Sequence, residues 1–151
     1  MVWDQALLAH LLGPYPLLAA ALTYGLHDAS WQPRVLRSAL IVLTAAGSTD
    51  LAAHADPAAM ARPPRQRLPS RPPVVPTILC AVGPPPPRWS TLRAAGYRRV
   101  AVAEYLLTPG FFACRAAKAA SCLTSAPPAA HDALAGLVAL HSREAAASAS
   151  L

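Results

Sequence analysis

The chain has 151 residues and a mass of 15.7 kDa, is 54% hydrophobic and 13% charged, and carries 17 prolines against 7 glycines with a formal net charge of +6. That length suits one domain with a real core, and the apolar content excludes disorder over most of it, because disorder goes with low hydrophobicity and high charge. No Gly-x-y period points to collagen, and three cysteines exclude a disulfide scaffold.

The basic excess is thirteen Lys+Arg, almost all arginine, over seven acids, which suits an anionic partner. Mean hydropathy is +0.34, so a membrane segment has to be considered. The longest apolar stretch, Ala6 to Leu26, has the length to span a bilayer, but His10, Pro14, Tyr15 and Pro16 break it, and no membrane helix is expected. The start, Met1-Val-Trp-Asp4, lacks the basic region of a secretory signal. Cys80, Cys114 and Cys122 are odd in number and without CxxC spacing, so they read as reduced, mostly buried thiols of a cytoplasmic protein.

The first helix is expected over Leu17–Asp28, where Leu18, Leu22 and Leu26 recur at helical spacing behind Pro16. After a polar connection, Ala39-Leu-Ile-Val-Leu43 is continuously apolar and β-branched, the pattern of a strand buried on both faces of a parallel sheet. A small-residue turn, Thr44–Asp50, leads into a helix over Leu51–Met60. Residues 62–73 alternate Arg62, Arg65, Arg67 and Arg71 with five prolines and read as a solvated loop. The next strand is expected over Val74–Val82, with Pro76 hinting at a sheet edge. An extended tract at Pro84–Pro87 precedes a helix over Arg88–Ala95 closed by Gly96. A strand over Arg99–Leu106, a turn at Thr108–Phe112, a short helix to about Ala120, a weak strand over Ser121–Thr124 and a last helix over Ala129–Glu144 complete the order. Strands alternating with helices predict an α/β protein with a mostly parallel sheet, whose ligand crevice lies beyond the carboxyl ends of the strands.

Two stretches echo each other: Pro14–Leu22 and Ala130–Val138 each place a turn residue ahead of an amphipathic helix, with Tyr15 matching His131. Residues 1–29 therefore read as a helical segment like the end of a preceding half, 35–144 as the α/β domain, and 145–151 as a flexible tail.

At the strand-end turns the sequence becomes specific. Leu43-Thr-Ala-Ala-Gly-Ser-Thr-Asp50, Leu92-Arg-Ala-Ala-Gly-Tyr-Arg-Arg-Val-Ala-Val-Ala103, Val102-Ala-Glu-Tyr-Leu-Leu-Thr-Pro-Gly-Phe-Phe112 and the turn into His131-Asp-Ala-Leu134 stand in one order and spacing. Together they resemble the sirohydrochlorin cobalto/ferrochelatase family, the class II chelatases, and in particular the second half of its tandem forms. The resemblance implies a flavodoxin-like three-layer sandwich and the insertion of Co²⁺ or Fe²⁺ into sirohydrochlorin for cobalamin or siroheme synthesis. The metal is then a substrate, and no cofactor is bound permanently. The resemblance also implies a metal-binding imidazole in the turn after the first strand and another two residues after the Gly of the Pro-Gly turn. Those positions are Ala46 and Phe112 here. An alanine holds no ion and a phenyl ring offers it only an apolar face, so the chain reads as a degenerate half or as a non-catalytic tetrapyrrole-binding or structural partner.

The remaining candidates are His131 and Glu104 for catalysis, with His131 also for metal. Gly47, Ser48, Pro109, Gly110 and Arg115 are candidates for substrate binding. Glu104 stands inside a strand that a parallel sheet would bury, where an ionisable group needs a reason. His54 reads as solvent-facing, and His10, His27 and His141 as surface residues. The expected partners are an anionic tetrapyrrole and a catalytic half-domain or second copy; neither membrane nor nucleic acid is expected.

Overall fold

The computed structural model describes residues 12–32, 38–47, 55–68, 71–79, 89–119, 123–128 and 131–149. In chain order the elements are α1 (Pro16–Asp28), β1 (Ala39–Ala45), α2 (Ala55–Met60), α3 (Arg62–Arg67), β2 (Val74–Ile78), α4 (Trp89–Ala94), β3 (Arg99–Tyr105), α5 (Phe111–Ala119), β4 (Leu123–Thr124) and α6 (Asp132–Ser148). The described strands form one sheet in the order β2-β1-β3-β4, and every pair is parallel.

The alternating faces of β1 and β3 build two cores. Ile41, Leu43, Ala101 and Ala103 pack against Leu18, Leu22 and Leu26 of α1, Met60 at the end of α2 with Ala61 after it, and Leu134 and Leu137 of α6. On the other face Leu40, Val42, Val100 and Val102 meet Ala113 and Ala116 of α5 and the half-buried Leu92 of α4. Seven consecutive buried residues in β1 explain why its sequence does not alternate. Each fully buried leucine on α1 is worth about 1.5–3 kcal/mol of transfer free energy, so α1 is part of this core.

Helix ends account for several boundaries. Gly96 closes α4 as expected: its N–H donates to the Arg93 carbonyl and that of Tyr97 to Leu92. Helix α1 ends in the same motif with Ser30 in the left-handed position, at φ 63°, its N–H on His27 and the Trp31 N–H on Leu26. A side chain there costs roughly 1 kcal/mol that glycine avoids. Ser30→Gly is therefore expected to raise the unfolding free energy by about 0.5–1 kcal/mol, the remainder being lost to the greater freedom of the unfolded glycine. Urea titration of the two proteins checks this.

The structure corrects four expectations. The segment read as a solvated Pro-rich loop contains α3, because Pro63 and Pro64 fall in its first turn, where no N–H is needed for intrahelical bonding. Helix α6 runs to Ser148, past the expected end at Glu144. His141 is buried on α6 with its ring edge-on to Tyr15 at 5.3 Å, because positions 134, 137 and 141 form one helical stripe facing α1. Cys114 is an exposed free thiol: α5 buries Ala113 and Ala116, and position 114 turns away from that stripe. Pro76 lies on the outermost described strand, where its missing N–H removes no bond to a further strand. Strand β2 ends at Ile78, although the Leu79 N–H still bonds to the Ala45 carbonyl, and residues 80–82 of the expected strand lie outside the described residues.

Candidate functional site

Beyond the carboxyl ends of β1 and β3 lies an open cavity of about 480 Å³. Ala46 stands on one side, and the run Tyr105–Ala113 forms the other. The two positions at which the resemblance implies imidazoles, Ala46 and Phe112, thus line the same cavity. Gly47, immediately after Ala46, has φ 93°, so the chain turns out of β1 through a conformation that suits glycine. Pro109 and Gly110 line the cavity, and the Gly110 carbonyl accepts the N–H of Cys114 in the first turn of α5. Ser48 lies outside the described residues. Arg115 is exposed on α5, one turn beyond Phe112, and does not line the cavity.

Among the described residues the lining side chains are apolar apart from Thr108 and Tyr105, whose hydroxyl points to Gly13. Leu107, Phe111 and Phe112 remain 49%, 73% and 36% exposed, with the two phenyl rings edge-on at 5.4 Å. A smaller cavity of about 180 Å³ adjoins it, sharing Tyr105, Leu106 and Leu107 and closed by Leu12, Gly13, Leu18 and Pro128. Tyr105 therefore stands between the two. Burial and the nearby Asp56 carboxylate push its phenol up to about 12, so it is a neutral hydroxyl at physiological pH. A Cβ at position 13 would collide with the Tyr105 hydroxyl, so the segment before α1 passes Tyr105 only as glycine.

One step below the cavity, a polar row crosses the sheet. Thr77, Thr44 and Glu104 are in register on β2, β1 and β3 and are 3%, 3% and 2% exposed. Strand alternation puts Thr44 and Glu104 on the face of Val42 and Val102, toward α5. The Glu104 N–H donates to Ser125 Oγ at 3.2 Å, so the serine extends the pairing of β3 past the end of β4. Its carboxylate Oε2 is buried without a hydrogen-bond partner, and burial pushes the group up to about 7. Glu104 is thus a carboxyl that exchanges its proton near neutrality, enclosed beneath the cavity floor and not lining it.

His131 is placed differently. It caps α6, its Nδ1 accepting the Ala133 N–H at 3.0 Å, and its ring packs on Tyr24 at 4.8 Å. It lines neither cavity at the strand ends, so the structure does not bring it together with Ala46 and Phe112. Among the described residues no group of three His, Cys, Asp or Glu side chains could hold a metal ion. His10 and His54 lie outside the described residues, and His27 is exposed. Among the described residues no helix is long and apolar enough to cross a membrane.

Sequence reasoning found the strand-end turns but missed Tyr105 as the wall between two cavities. The signal for it was present, since Tyr105 is the residue that ends the β-rich run before Leu-Leu-Thr-Pro-Gly.

No protein-family model matches the sequence, and no curated protein matches it. Among solved structures the chain is similar to SirB from Bacillus subtilis with Fe³⁺, with a TM-score of 0.71 over 94% of this chain at 19% identity. The chain spans 58% of that neighbour's length. At this identity the likeness shows the fold, a mixed α/β architecture on an all-parallel four-stranded sheet of the SirB-like chelatase kind.

Proposed function

We propose that this chain acts as one half of a sirohydrochlorin chelatase, taking the tetrapyrrole at its strand-end crevice while the metal ligands come from a different, catalytic half. The observation that carries this reading is the meeting of Ala46 and Phe112 at one cavity beyond the strand ends, where the described lining holds no imidazole or carboxylate.

Insertion of Co²⁺ or Fe²⁺ into a tetrapyrrole needs a neutral imidazole to hold the divalent ion and a base to take the pyrrole protons. A methyl and a phenyl group do neither. They do suit the flat face of a macrocycle, which gains about 25 cal/mol for each Å² of apolar surface removed from water. The cavity lies within the roughly 300–1,000 Å³ typical of ligand pockets. Arg115 on the adjoining helix supplies a guanidinium suited to a carboxylate of the substrate. Glu104, pushed up to about 7 by burial, is an enclosed carboxyl beneath the floor that can take up a proton near neutrality. The same reading puts the chain in the cytoplasm, a reducing compartment in which the exposed Cys114 thiol stays free.

The purified chain, mixed with sirohydrochlorin and then Co²⁺ or Fe²⁺ and followed by absorption spectroscopy, is expected to bind the tetrapyrrole without accelerating metal insertion. Acceleration by this chain alone, abolished by His131→Ala, would contradict the proposal.

A further inference from the structure

At the opposite end of the sheet from the crevice, α3 and the turn entering β2 form an open cleft of about 330 Å³ lined by Arg62, Arg65, Gln66 and Arg71. Helical spacing explains three of the four: positions 62, 65 and 66 stand at i, i+3 and i+4 and share one face of α3. Arg71 arrives through a turn in which its N–H bonds to the Leu68 carbonyl at 3.0 Å and its backbone adopts φ 43°, a left-handed conformation that costs roughly 1 kcal/mol for a residue with a side chain.

Among the described residues nothing compensates the charge in this cleft. Residues 57–103 contain eight arginines and no acid, no carboxylate lines the cleft, and among the described residues none of its arginines forms an ion pair. Favourable interaction with the carboxyl end of α3 accounts for Arg65, in the last turn, but Arg62 stands at the amino end, where a cation is disfavoured. Three arginines, whose guanidiniums pair with oxyanions through two parallel N–H groups, and one glutamine therefore line a space that an anion would stabilise. The cleft is compact and has no aromatic residue on which a base could stack, which favours a small ligand over a nucleic-acid strand.

We propose that this cleft binds a multiply charged phosphate group of a small molecule, of the pyrophosphate type, independently of the tetrapyrrole crevice. Calorimetric titration of the full chain with inorganic pyrophosphate tests it. Saturable one-to-one binding is expected, weakened at least tenfold in each of Arg62→Gln, Arg65→Gln and Arg71→Gly. The last of these is also expected to unfold no earlier than the wild type, because glycine accepts the left-handed backbone, so its loss of binding would not reflect misfolding. Absence of saturable binding, or equal affinity in the triple variant that combines these three substitutions, would overturn the proposal. So would binding of a duplex oligonucleotide, but not pyrophosphate, with a steep salt dependence lost in the triple variant.

Discussion

Ala46→His and Phe112→His, introduced together, are expected to create a Co²⁺ site in a crevice whose described lining residues include no metal ligand. Both side chains line one cavity, so two imidazoles there would face a common space and supply the ligand type that binds divalent first-row ions best at neutral pH. The double variant should bind Co²⁺ at least a hundredfold more tightly than the wild type, about 2.7 kcal/mol. Each single variant should recover only a small part of this, because one imidazole leaves the ion largely hydrated. Titration followed through the visible absorption of Co²⁺ gives the affinities, and the band positions report nitrogen ligation. Position 46 is partly buried and position 112 is 36% exposed, so neither histidine has to displace a core side chain.

Glu104→Gln should stabilise the protein above neutral pH by roughly 3 kcal/mol, at about 1.36 kcal/mol for each unit between the ordinary carboxyl value and the folded one. Burial raises Glu104 from 4.5 to about 7. The folded state therefore holds its proton over a range in which the unfolded chain has released it. That contribution is fully present below about pH 4.5, and the wild type loses it progressively as pH rises through about 7. Glutamine has nearly the same shape and no charge to bury, so the variant lacks this slope, and the two proteins converge in acid. Denaturant unfolding at intervals from pH 4 to 8 gives the difference directly. A wild-type stability that stays level from pH 4.5 to 7, with Glu104→Gln less stable throughout, would show that the carboxylate has a partner when charged.

The sheet could be read from the sequence because its signals are local. The continuous apolar run of β1, Pro76 at the edge strand and Gly96 at the end of α4 each follow from one residue's chemistry in its own neighbourhood. Errors arose where a long-range contact or helix phase decides the outcome. Arg62–Arg67 looks like a loop by composition, yet prolines confined to a first turn leave a helix intact. His141 looks like a surface residue until α1 is laid against α6 and position 141 falls in the contact stripe. Cys114 looks buried by residue type, but the phase of α5 turns it outward.

The crevice was readable in part for the same reason. Turn residues mark where a parallel sheet ends, so Ala46, Pro109, Gly110 and Phe112 were found as members of the turns. Tyr105 and the row of Thr77, Thr44 and Glu104 depend on register across three strands, which no single segment encodes. His131 stands at a helix start in the sequence, but the side of the domain it joins is set by how α6 lies on α1.

Absorption titration with sirohydrochlorin, comparing the wild type with Ala46→Trp, asks whether the crevice holds the tetrapyrrole. An indole at position 46 would occupy the cavity between the ends of β1 and β3. The wild type should show a saturable spectral shift, and Ala46→Trp, folded by circular dichroism, should weaken it at least tenfold. No saturable shift in the wild type, or an unchanged affinity in the folded variant, would contradict a tetrapyrrole site at these strand ends.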